Sequence, residues 1–393
     1  MNYWLKSLTL AEMRDSMGNK KQLKIGAIVD GVGWSYTAWR HSDMPANASE
    51  SVDFYVEKAK RAEEGKLDMV FLADVSHIGP GMIPHYLSMF EGVTILSALS
   101  MATSHIGLAA TIATSYADPF TVARQMASLD KISKGRAAWN AITSNPGGLA
   151  NYSRKHLSKA DLYPLKEEFL EIVEGLWDSY EDDAFIRDKE SGIFLNPGKM
   201  HPLNYRGKYF SVDGPLNISR SPQGRPVIFQ AGTSPEFMDI ASKHAEGVLV
   251  NGDDFNYVKQ FSEELRRRVA LAGRAPEDLL IMPTQQIIVG RTESEANEKF
   301  QELQGLSPPG YRIPKPQFFG SAETVADMIE HWYQAGAMDL LLIRQEHPSG
   351  IDDFIDLVVP VLQEKGIFRK EYESETLREN LGLPFPENRY VSS

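Results

Sequence analysis

Small and polar residues at one strand-to-helix turn could bind a phosphate. The apolar run 226–230 is predicted to be a strand, and it leads into Gly232, Thr233 and Ser234 at the start of a predicted helix. Such a turn exposes backbone N–H groups at a helix N-terminus, where anions bind readily. Thr233 or Ser234 could equally act as the N-cap of the helix and nothing more. The sequence leaves both interpretations open.

Polar side chains also follow four other apolar runs, at the points where strands are predicted to end. They are Asp30 and Gly31, then Asp74, Ser76 and His77, then Thr111 and Thr114, and finally Asn140, Thr143 and Ser144. A buried amide such as Asn140 must find hydrogen-bond partners, which either a bound heterocycle or a neighbouring loop could supply. The position of Asp74, taken alone, fits a helix cap or a loop start better than a ligand contact.

Aromatic and imidazole side chains are expected at the same rim. They are Trp34, Tyr36, His41, His77, Ile78 and His85, a mixture that would suit a polar or sulfur-bearing substrate. Neither His41 nor His77 has the spacing of a metal site, and the H-x-H after the first strand that is common in barrel metallohydrolases is absent. The sequence therefore predicts no metal ion, and a metallohydrolase is a less favoured alternative.

The elements that must position these residues alternate between short apolar runs and longer helical patterns. Eight strands are predicted, beginning near residues 23, 69, 106, 136, 226, 247, 280 and 339. This alternation is typical of a parallel sheet, and eight strands favour closure into a (β/α)8 TIM barrel with its active site at the carboxyl ends of the strands. A doubly wound open sheet is the rival, but no G-x-G-x-x-G follows the first strand.

The chain of 393 residues is predicted to form a single barrel domain over 22–383, with an insertion at 181–223. Residues 1–21 are expected to be an N-terminal extension and 384–393 a C-terminal tail. The formal charge of −12 argues against nucleic-acid binding. The absence of cysteine excludes disulfides and a thiol nucleophile. Neither a spanning apolar run nor a secretory signal is present, so we expect no membrane association and a cytoplasmic location.

Ordered motifs along about 350 residues resemble the nitrilotriacetate and dibenzothiophene-sulfone monooxygenase family of the bacterial luciferase-like superfamily. The segment Ala38-Trp39-Arg40-His41 resembles its G-x-W-R-H/Y-P motif, and Phe71-Leu72-Ala73-Asp74 matches F-[LI]-A-D. Similar segments continue through 109–119, 135–144, 214–216, 221–224, 230–232 and 377–383. Each motif is weak alone, but their order over most of the chain makes the resemblance specific.

The resemblance implies a two-component enzyme that uses reduced FMN (FMNH2) as a co-substrate and oxidises a small organic molecule with O2 through a C4a-peroxyflavin. A separate NAD(P)H-dependent flavin reductase would supply FMNH2, and a homodimer or homotetramer is expected. The family resemblance also implies roles for the candidate residues. Flavin contacts are expected from Asp74, Thr111, Asn140 and Ser144, phosphate contacts from Tyr163, Gly232, Thr233 and Ser234, and catalytic roles for His41, His77 and Asn140.

The chain departs from the family pattern at two places. The family's H-x-x-R-Y segment retains its tyrosine as Tyr163 but has lost its arginine, which is Leu162 here. Relatives also carry a long insertion, expected to cover the active site, between two helices. Here the segment that ends at Leu306 is followed at once by Ser307 and, after a short stretch, by Phe319. We hypothesise that a mobile lid is missing between Leu306 and Ser307. The stretch Leu8 to Met13 resembles part of that insertion.

The substrate is not evident from the sequence, although a sulfur- or nitrogen-containing compound is expected. A deazaflavin-dependent oxidoreductase of the same superfamily and a non-catalytic flavin-binding barrel are the alternatives. The W-R-H and W-N-x-x-T-S segments favour the monooxygenase over the deazaflavin enzymes.

Overall fold

The main sheet consists of nine parallel strands. The computed structural model describes residues 22–75, 77–143, 151–152, 158–252 and 254–391. The strands, including a separate antiparallel pair formed by β5 and β6, are β1 (Lys24–Ile28), β2 (Met69–Leu72), β3 (Gly107–Ala113), β4 (Ala137–Ile142), β5 (Tyr205–Arg206), β6 (Ser211–Val212), β7 (Val227–Ala231), β8 (Gly247–Asn251), β9 (Leu280–Gly290), β10 (Phe318–Ser321) and β11 (Leu340–Gln345).

Eight of these strands close into the predicted barrel. Their order is β1-β2-β3-β4-β7-β8-β9-β11, and β11 pairs with β1 to complete the ring. The ninth strand, β10, was not predicted. It pairs in parallel with the last four residues of β9, because β9 has 11 residues and extends beyond its pairing with β8 and β11. The predicted fold class is confirmed, with one additional strand.

Helices follow the strands and begin at recognisable caps such as Ser51, Asp118 and Ser234. They are α1 (Val52–Glu64), α2 (Pro84–Leu87), α3 (Gly92–Ala102), α4 (Pro119–Ile132), α5 (Lys159–Trp177), α6 (Pro235–His244), α7 (Phe255–Leu271), α8 (Glu293–Gly305), α9 (Ala322–Gln334), α10 (Gly350–Asp353), α11 (Val359–Glu364) and α12 (Leu377–Asn380), with a π-helical turn at Phe354–Val358 between α10 and α11. In the described part of the chain, no helix combines the length and apolarity needed to cross a membrane.

Two apolar layers result from the alternation of side chains along the strands. Ile28, Phe71 and Leu342 belong to the cluster inside the barrel, whereas Val29 and Ile343 belong to the layer between strands and helices. Since side chains alternate, the strand ends place a second set of residues inside the barrel at its carboxyl end. This inward set is Asp30, Thr111, Asn140, Gln286, Arg344 and Glu346.

The C-terminal segment closes the opposite end of the barrel. Leu377, Leu381 and Leu383 pack with the inner cluster, and a Cβ at Gly107 would lie only 2.5 Å from the Leu377 side chain. The buried Arg378 forms an ion pair with Glu246. The motif at 377–383 therefore completes the core.

The predicted insertion contains the β5–β6 hairpin, whose residues 205 and 206 pair with 212 and 211. Its start is tied to the end of the chain, because the Asn388 amide donates to the carbonyl oxygens of Asp178 and Tyr180 at 3.2 and 2.8 Å. The division into extension, barrel, insertion and tail stays a prediction, and residues 1–21 lie outside the described part.

The chain is continuous where a missing lid was hypothesised. The Leu306 and Ser307 backbone N–H groups donate to the carbonyl oxygens of Glu302 and Gln304 at 3.2 and 3.1 Å, which extends the end of α8. Ser307 Oγ lies 3.2 Å from Thr37 Oγ1, and Arg40 donates to the Leu306 carbonyl. A short loop over 306–317 connects α8 to β10, and the hypothesis of a lid missing between Leu306 and Ser307 stays a prediction.

Candidate active site

Two inward polar side chains meet at the carboxyl ends of β3 and β4. Thr111 and Asn140 are register neighbours, and the next position across the sheet is Phe229 on β7. The Asn140 amide donates to Thr111 Oγ1 at 3.1 Å. Asn140 Oδ1 is buried and accepts no hydrogen bond within the described residues. Because buried polar atoms are nearly always paired, this oxygen indicates a site for a ligand donor.

Asp74 shares an open cleft with Thr111. One Asp74 carboxylate oxygen accepts a hydrogen bond from the Gly92 backbone N–H at 3.3 Å. Burial raises the pKa of Asp74 to about 6, although the Gly92 hydrogen bond opposes that shift. The cleft measures about 460 Å³, and its remaining lining residues are Glu91, Ile112, Ala113, Tyr116, Ala117, Ile142 and Tyr152. Asp74 therefore contributes both to the start of α3 and to the cleft.

The turn after β7 has the geometry of an anion site. Ser234 caps α6 by accepting from the Phe237 backbone N–H at 3.2 Å, and its Oγ also lies 3.0 Å from the Tyr163 hydroxyl. Gly232 has φ 152°, and a Cβ there would approach the Phe237 ring to 2.7 Å. Thr233 is exposed. The cap interpretation of Ser234 is confirmed, and the phosphate interpretation of the same turn stays a prediction.

Charged and aromatic residues surround Asp30 and Arg344, the members of the inward set that follow β1 and lie on β11. The buried carboxylate of Asp30 lies 2.6 Å from Arg344 Nε, and the Arg344 guanidinium stacks 3.5 Å from the Trp34 ring centroid. His85 is buried, with Nδ1 2.9 Å from Ser49 Oγ and Nε2 3.9 Å from Asp30. Burial lowers the pKa of His85, so its ring is neutral near pH 7. Trp34 and His85 thus both lie near the Asp30–Arg344 pair, and their place in a substrate pocket stays a prediction.

Glu346 is a site residue that the sequence interpretation missed. Its side chain is fully buried, and one carboxylate oxygen accepts from the Gln286 amide at 3.2 Å. The other oxygen makes no hydrogen bond of good geometry within the described structure, although the Ser35 hydroxyl lies close enough to lower the pKa of the carboxyl group. Burial raises the pKa of Glu346 to about 7. One signal in the sequence could have identified Glu346. Arg344 and Glu346 lie at the carboxyl end of the last predicted strand, which is where active-site residues of barrels are found.

The other predicted site residues do not lie beside Asn140. His41 is buried, but its contacts are Glu302, 3.0 Å from Nε2, and His347, whose ring centroid lies 4.8 Å away. His77 and Ile78 are exposed, and the Tyr36 hydroxyl donates to the Gly81 carbonyl at 2.5 Å. Ser144 lies outside the described residues. The catalytic roles of His41, His77 and Asn140 stay predictions.

A flat polar heterocycle with a phosphate fits this arrangement. Asn140 Oδ1 provides a polar contact beside the open cleft, and the Gly232 turn on the adjacent strand would provide N–H donors. Flavin mononucleotide has these parts. The fold is a (β/α)8 barrel of the kind found in many enzymes, with a candidate cofactor site at the carboxyl ends of its strands.

Sequence comparison assigns the chain to a family within this class. Residues 33–318 match the profile of the luciferase-like monooxygenases, and the chain belongs to that family. It is 42% identical to N-acetyl-S-(2-succino)cysteine monooxygenase of Bacillus subtilis (strain 168), over 95% of this chain and 99% of that protein. It is 34% identical to nitrilotriacetate monooxygenase component A of Aminobacter aminovorans, with the same coverage. These relatives confirm the resemblance and identify a flavin-dependent monooxygenase.

Solved structures agree with this assignment. A long-chain alkane monooxygenase superimposes with a TM-score of 0.84 at 32% identity, over 92% of this chain and 96% of that one. A riboflavin lyase containing a modified FMN also gives 0.84, at 28% identity and 93% and 97% coverage. The alignment to the Bacillus subtilis protein spans 436 residues, more than the 393 of this chain. That relative therefore carries residues that have no counterpart here.

Proposed function

We propose that this chain is the oxygenase of a two-component system, which uses FMNH2 and O2 to oxidise a small sulfur-containing organic molecule through a C4a-peroxyflavin. In this reaction FMNH2 supplies two electrons, one oxygen atom enters the product and the other leaves as water. The observation that carries the proposal is the unpaired Asn140 Oδ1 beside the cleft and next to the Gly232 turn. Similarity to flavin-dependent monooxygenases over most of the chain supports it.

The chain's own residues would bind the cofactor in two groups. Thr111, Asn140 and Asp74 would contact the flavin ring, where a ring N–H could donate to Asn140 Oδ1. The backbone of Gly232 and Thr233, with the hydroxyls of Ser234 and Tyr163, would hold the phosphate. These two hydroxyls already lie 3.0 Å apart, so the phosphate side is organised before the ligand arrives.

The inward charged group would form the substrate side of the site. Trp34 stacks on the Arg344 guanidinium, whose charge is paired with Asp30, and the buried Glu346 carboxyl group offers a place to hold a proton. These groups suit a polar molecule better than an alkane. The name of the relative at 42% identity denotes a thioether with carboxyl groups, which supports a sulfur-containing acid as substrate.

A separate flavin reductase is proposed as the partner. The support is the name of the Aminobacter aminovorans relative, which is component A of its monooxygenase. The proposal requires that an unrelated NAD(P)H-dependent reductase, mixed with FMN, can replace the natural one, because reduced flavin would travel between the two proteins by diffusion.

The test mixes the purified chain, anaerobic FMNH2 and a candidate thioether acid with ¹⁸O2. We expect a transient C4a-peroxyflavin absorbance and one labelled oxygen atom in the product. A deazaflavin enzyme would instead turn over with the reduced deazaflavin and without O2. A flavin-binding barrel without catalysis would bind FMN but form no labelled product with any thioether, sulfone or amine tested, and either result would overturn the proposal.

A further inference from the structure

Three side chains that can bind metals meet at the rim of the barrel, apart from the proposed flavin contacts. His41 comes from the loop after β1, Glu302 from α8, and His347 from the segment after β11. One potential ligand atom from each lies within 4.8 Å of the other two. We propose that these residues bind a divalent transition-metal ion, for which Zn2+ is the best match. Two imidazoles and one carboxylate are a known zinc ligand set that leaves a fourth position open.

The contact between His41 and Glu302 supports a shared ion. Nε2 of His41 is 3.0 Å from a Glu302 carboxylate oxygen, yet this buried nitrogen makes no hydrogen bond of acceptable geometry within the described structure. Ligands of a tetrahedral zinc ion lie roughly 3.4 Å apart, as bond lengths of about 2.0–2.1 Å require. The Glu302 side chain is 54% exposed, so it can rotate to shorten the longest separation in the group.

Neighbouring groups orient the two imidazoles. His347 Nδ1 lies 2.7 Å from Ser349 Oγ, which in turn bonds to Asp353. The Ser349 backbone N–H also donates to Nδ1 of His347 at 3.3 Å, so coordination through Nε2 would require the ring proton on Nδ1, where Ser349 Oγ can accept it. Nδ1 of His41 accepts from the Asp43 backbone N–H at 3.1 Å. Coordination through Nε2 of His41 would move the ring proton to Nδ1 at the expense of that hydrogen bond, a cost of about 1 kcal/mol.

The local charges permit a cation. Lys299 is the positive group near His347, but its ammonium donates to Asp353 at 2.8 Å and to the Val289 carbonyl at 3.0 Å. It also lies 3.4 Å from Glu295. Two carboxylates and one carbonyl oxygen therefore surround this ammonium, and they offset its charge beside the proposed ion.

A bound ion would fasten α8 to the two loops at the barrel mouth. The short connection that follows α8 already contacts the first loop through Ser307 and Thr37. The ion would reinforce this contact by joining residues that are distant in sequence. We therefore expect metal binding to raise thermal stability, independently of any flavin or oxygenase activity.

The test measures binding of ZnCl2 to the EDTA-treated, dialysed full chain by calorimetry, together with thermal melting. We expect one ion per chain with micromolar or tighter affinity and a higher Tm. His347→Ala and the surface variant Glu302→Gln should each weaken binding at least tenfold, whereas the control His105→Ala, at an exposed histidine outside the cluster, should bind as the unaltered chain does. Co2+ should show d–d absorption bands of tetrahedral intensity.

The proposal is overturned if the unaltered chain binds no Zn2+ at micromolar concentrations. It is equally overturned if Glu302→Gln and the control bind alike. Because Glu302 lies on the surface of α8, its variant is expected to fold even where a change at a buried histidine does not. These measurements need no substrate, so they are independent of the proposed oxygenase function.

Discussion

At the residue scale, Asn140 and Asp74 are the side chains through which flavin binding can be tested most directly. Asn140→Ala removes an orphaned acceptor, and Asp74→Ala removes a carboxylate at the cleft. Each should weaken FMN binding by about 2- to 12-fold, the equivalent of one hydrogen bond of about 0.5–1.5 kcal/mol. Titration of flavin fluorescence measures the affinity, and circular dichroism checks that the fold is retained.

Asn256→Ala is the matched control, since this asparagine is exposed on α7. It should bind FMN with unchanged affinity. Equal affinities for the unaltered chain, Asn140→Ala and Asp74→Ala would remove both residues from the flavin site, while the phosphate turn would still need its own test.

Glu346 predicts a pH dependence of stability. Its pKa is about 7 in the folded protein because of burial, against an ordinary value of 4.5, so the unfolded chain loses this proton at a lower pH. Stability from this group is therefore complete below about pH 4.5 and is lost as the pH rises to 7, by up to about 3 kcal/mol. Glu346→Gln should remove that loss.

Urea unfolding of both proteins at pH 5 and pH 8 measures the effect. The variant should gain stability relative to the unaltered chain between these two values. An equal difference in unfolding free energy at pH 5 and pH 8 would show that Glu346 does not retain its proton on folding.

At the scale of elements, the sequence determined most of the barrel but only part of the site. Most of the ring strands consist largely of apolar residues, which is typical of strands buried on both faces, although β9 has Thr284, Gln285 and Gln286 in its middle. Strand β10 escaped prediction because it has four residues and depends on the unusual length of β9. The pairing of His41 with Glu302 and His347 could not be predicted, because only closure of the barrel brings those segments together.

The turn between β7 and α6 provides a test at this scale. Gly232→Ala would place a methyl group 2.7 Å from the Phe237 ring, so the turn must move away from its present geometry. We expect FMN affinity to fall at least tenfold, since several N–H donors would shift together, and Tm to fall modestly. Gly305→Ala is the control, because a Cβ there meets no atom within 4 Å, and it should be neutral or slightly stabilising.

Riboflavin, which has no phosphate, separates the two contributions to binding. Gly232→Ala should lower the affinity for FMN much more than that for riboflavin. Equal losses for both ligands would place the phosphate elsewhere.

At the scale of the whole molecule, the two ends of the barrel have different tasks. The amino-terminal end is closed by apolar residues of the C-terminal segment, whereas the carboxyl end contains polar atoms without partners. Closure of the ring leaves its eight strands without a free edge. The stability of the barrel then depends in large part on the packing at its amino-terminal end. This packing includes buried charge, which makes it sensitive to single substitutions.

Arg378 is the residue on which that packing depends most. Its guanidinium pairs with the buried carboxylate of Glu246 and donates to the Gln223 carbonyl at 3.0 Å. Burial alone would raise the pKa of Glu246, but the charge and hydrogen bond of Arg378, together with the Arg225 charge and the Ile228 N–H, outweigh burial and lower it. Arg378→Met leaves a buried carboxylate without this partner, so the unfolding free energy should fall by about 3–5 kcal/mol at pH 8. Arg267→Met, which breaks an exposed pair with Glu264, should cost less than about 1 kcal/mol.

The loss in Arg378→Met should depend on pH, because without the arginine the pKa of Glu246 rises and the carboxyl group can be neutralised by a proton. Urea unfolding should therefore show a smaller loss at pH 5 than at pH 8. The double variant Arg378→Met/Glu246→Gln should recover much of the stability at pH 8, since the Glu246 carboxylate is no longer left buried without Arg378, and Arg225 keeps its ion pair with Glu174. If the double variant is as unstable as Arg378→Met alone, then Arg378 stabilises the amino-terminal end of the barrel through its packing and hydrogen bonds and not through its charge.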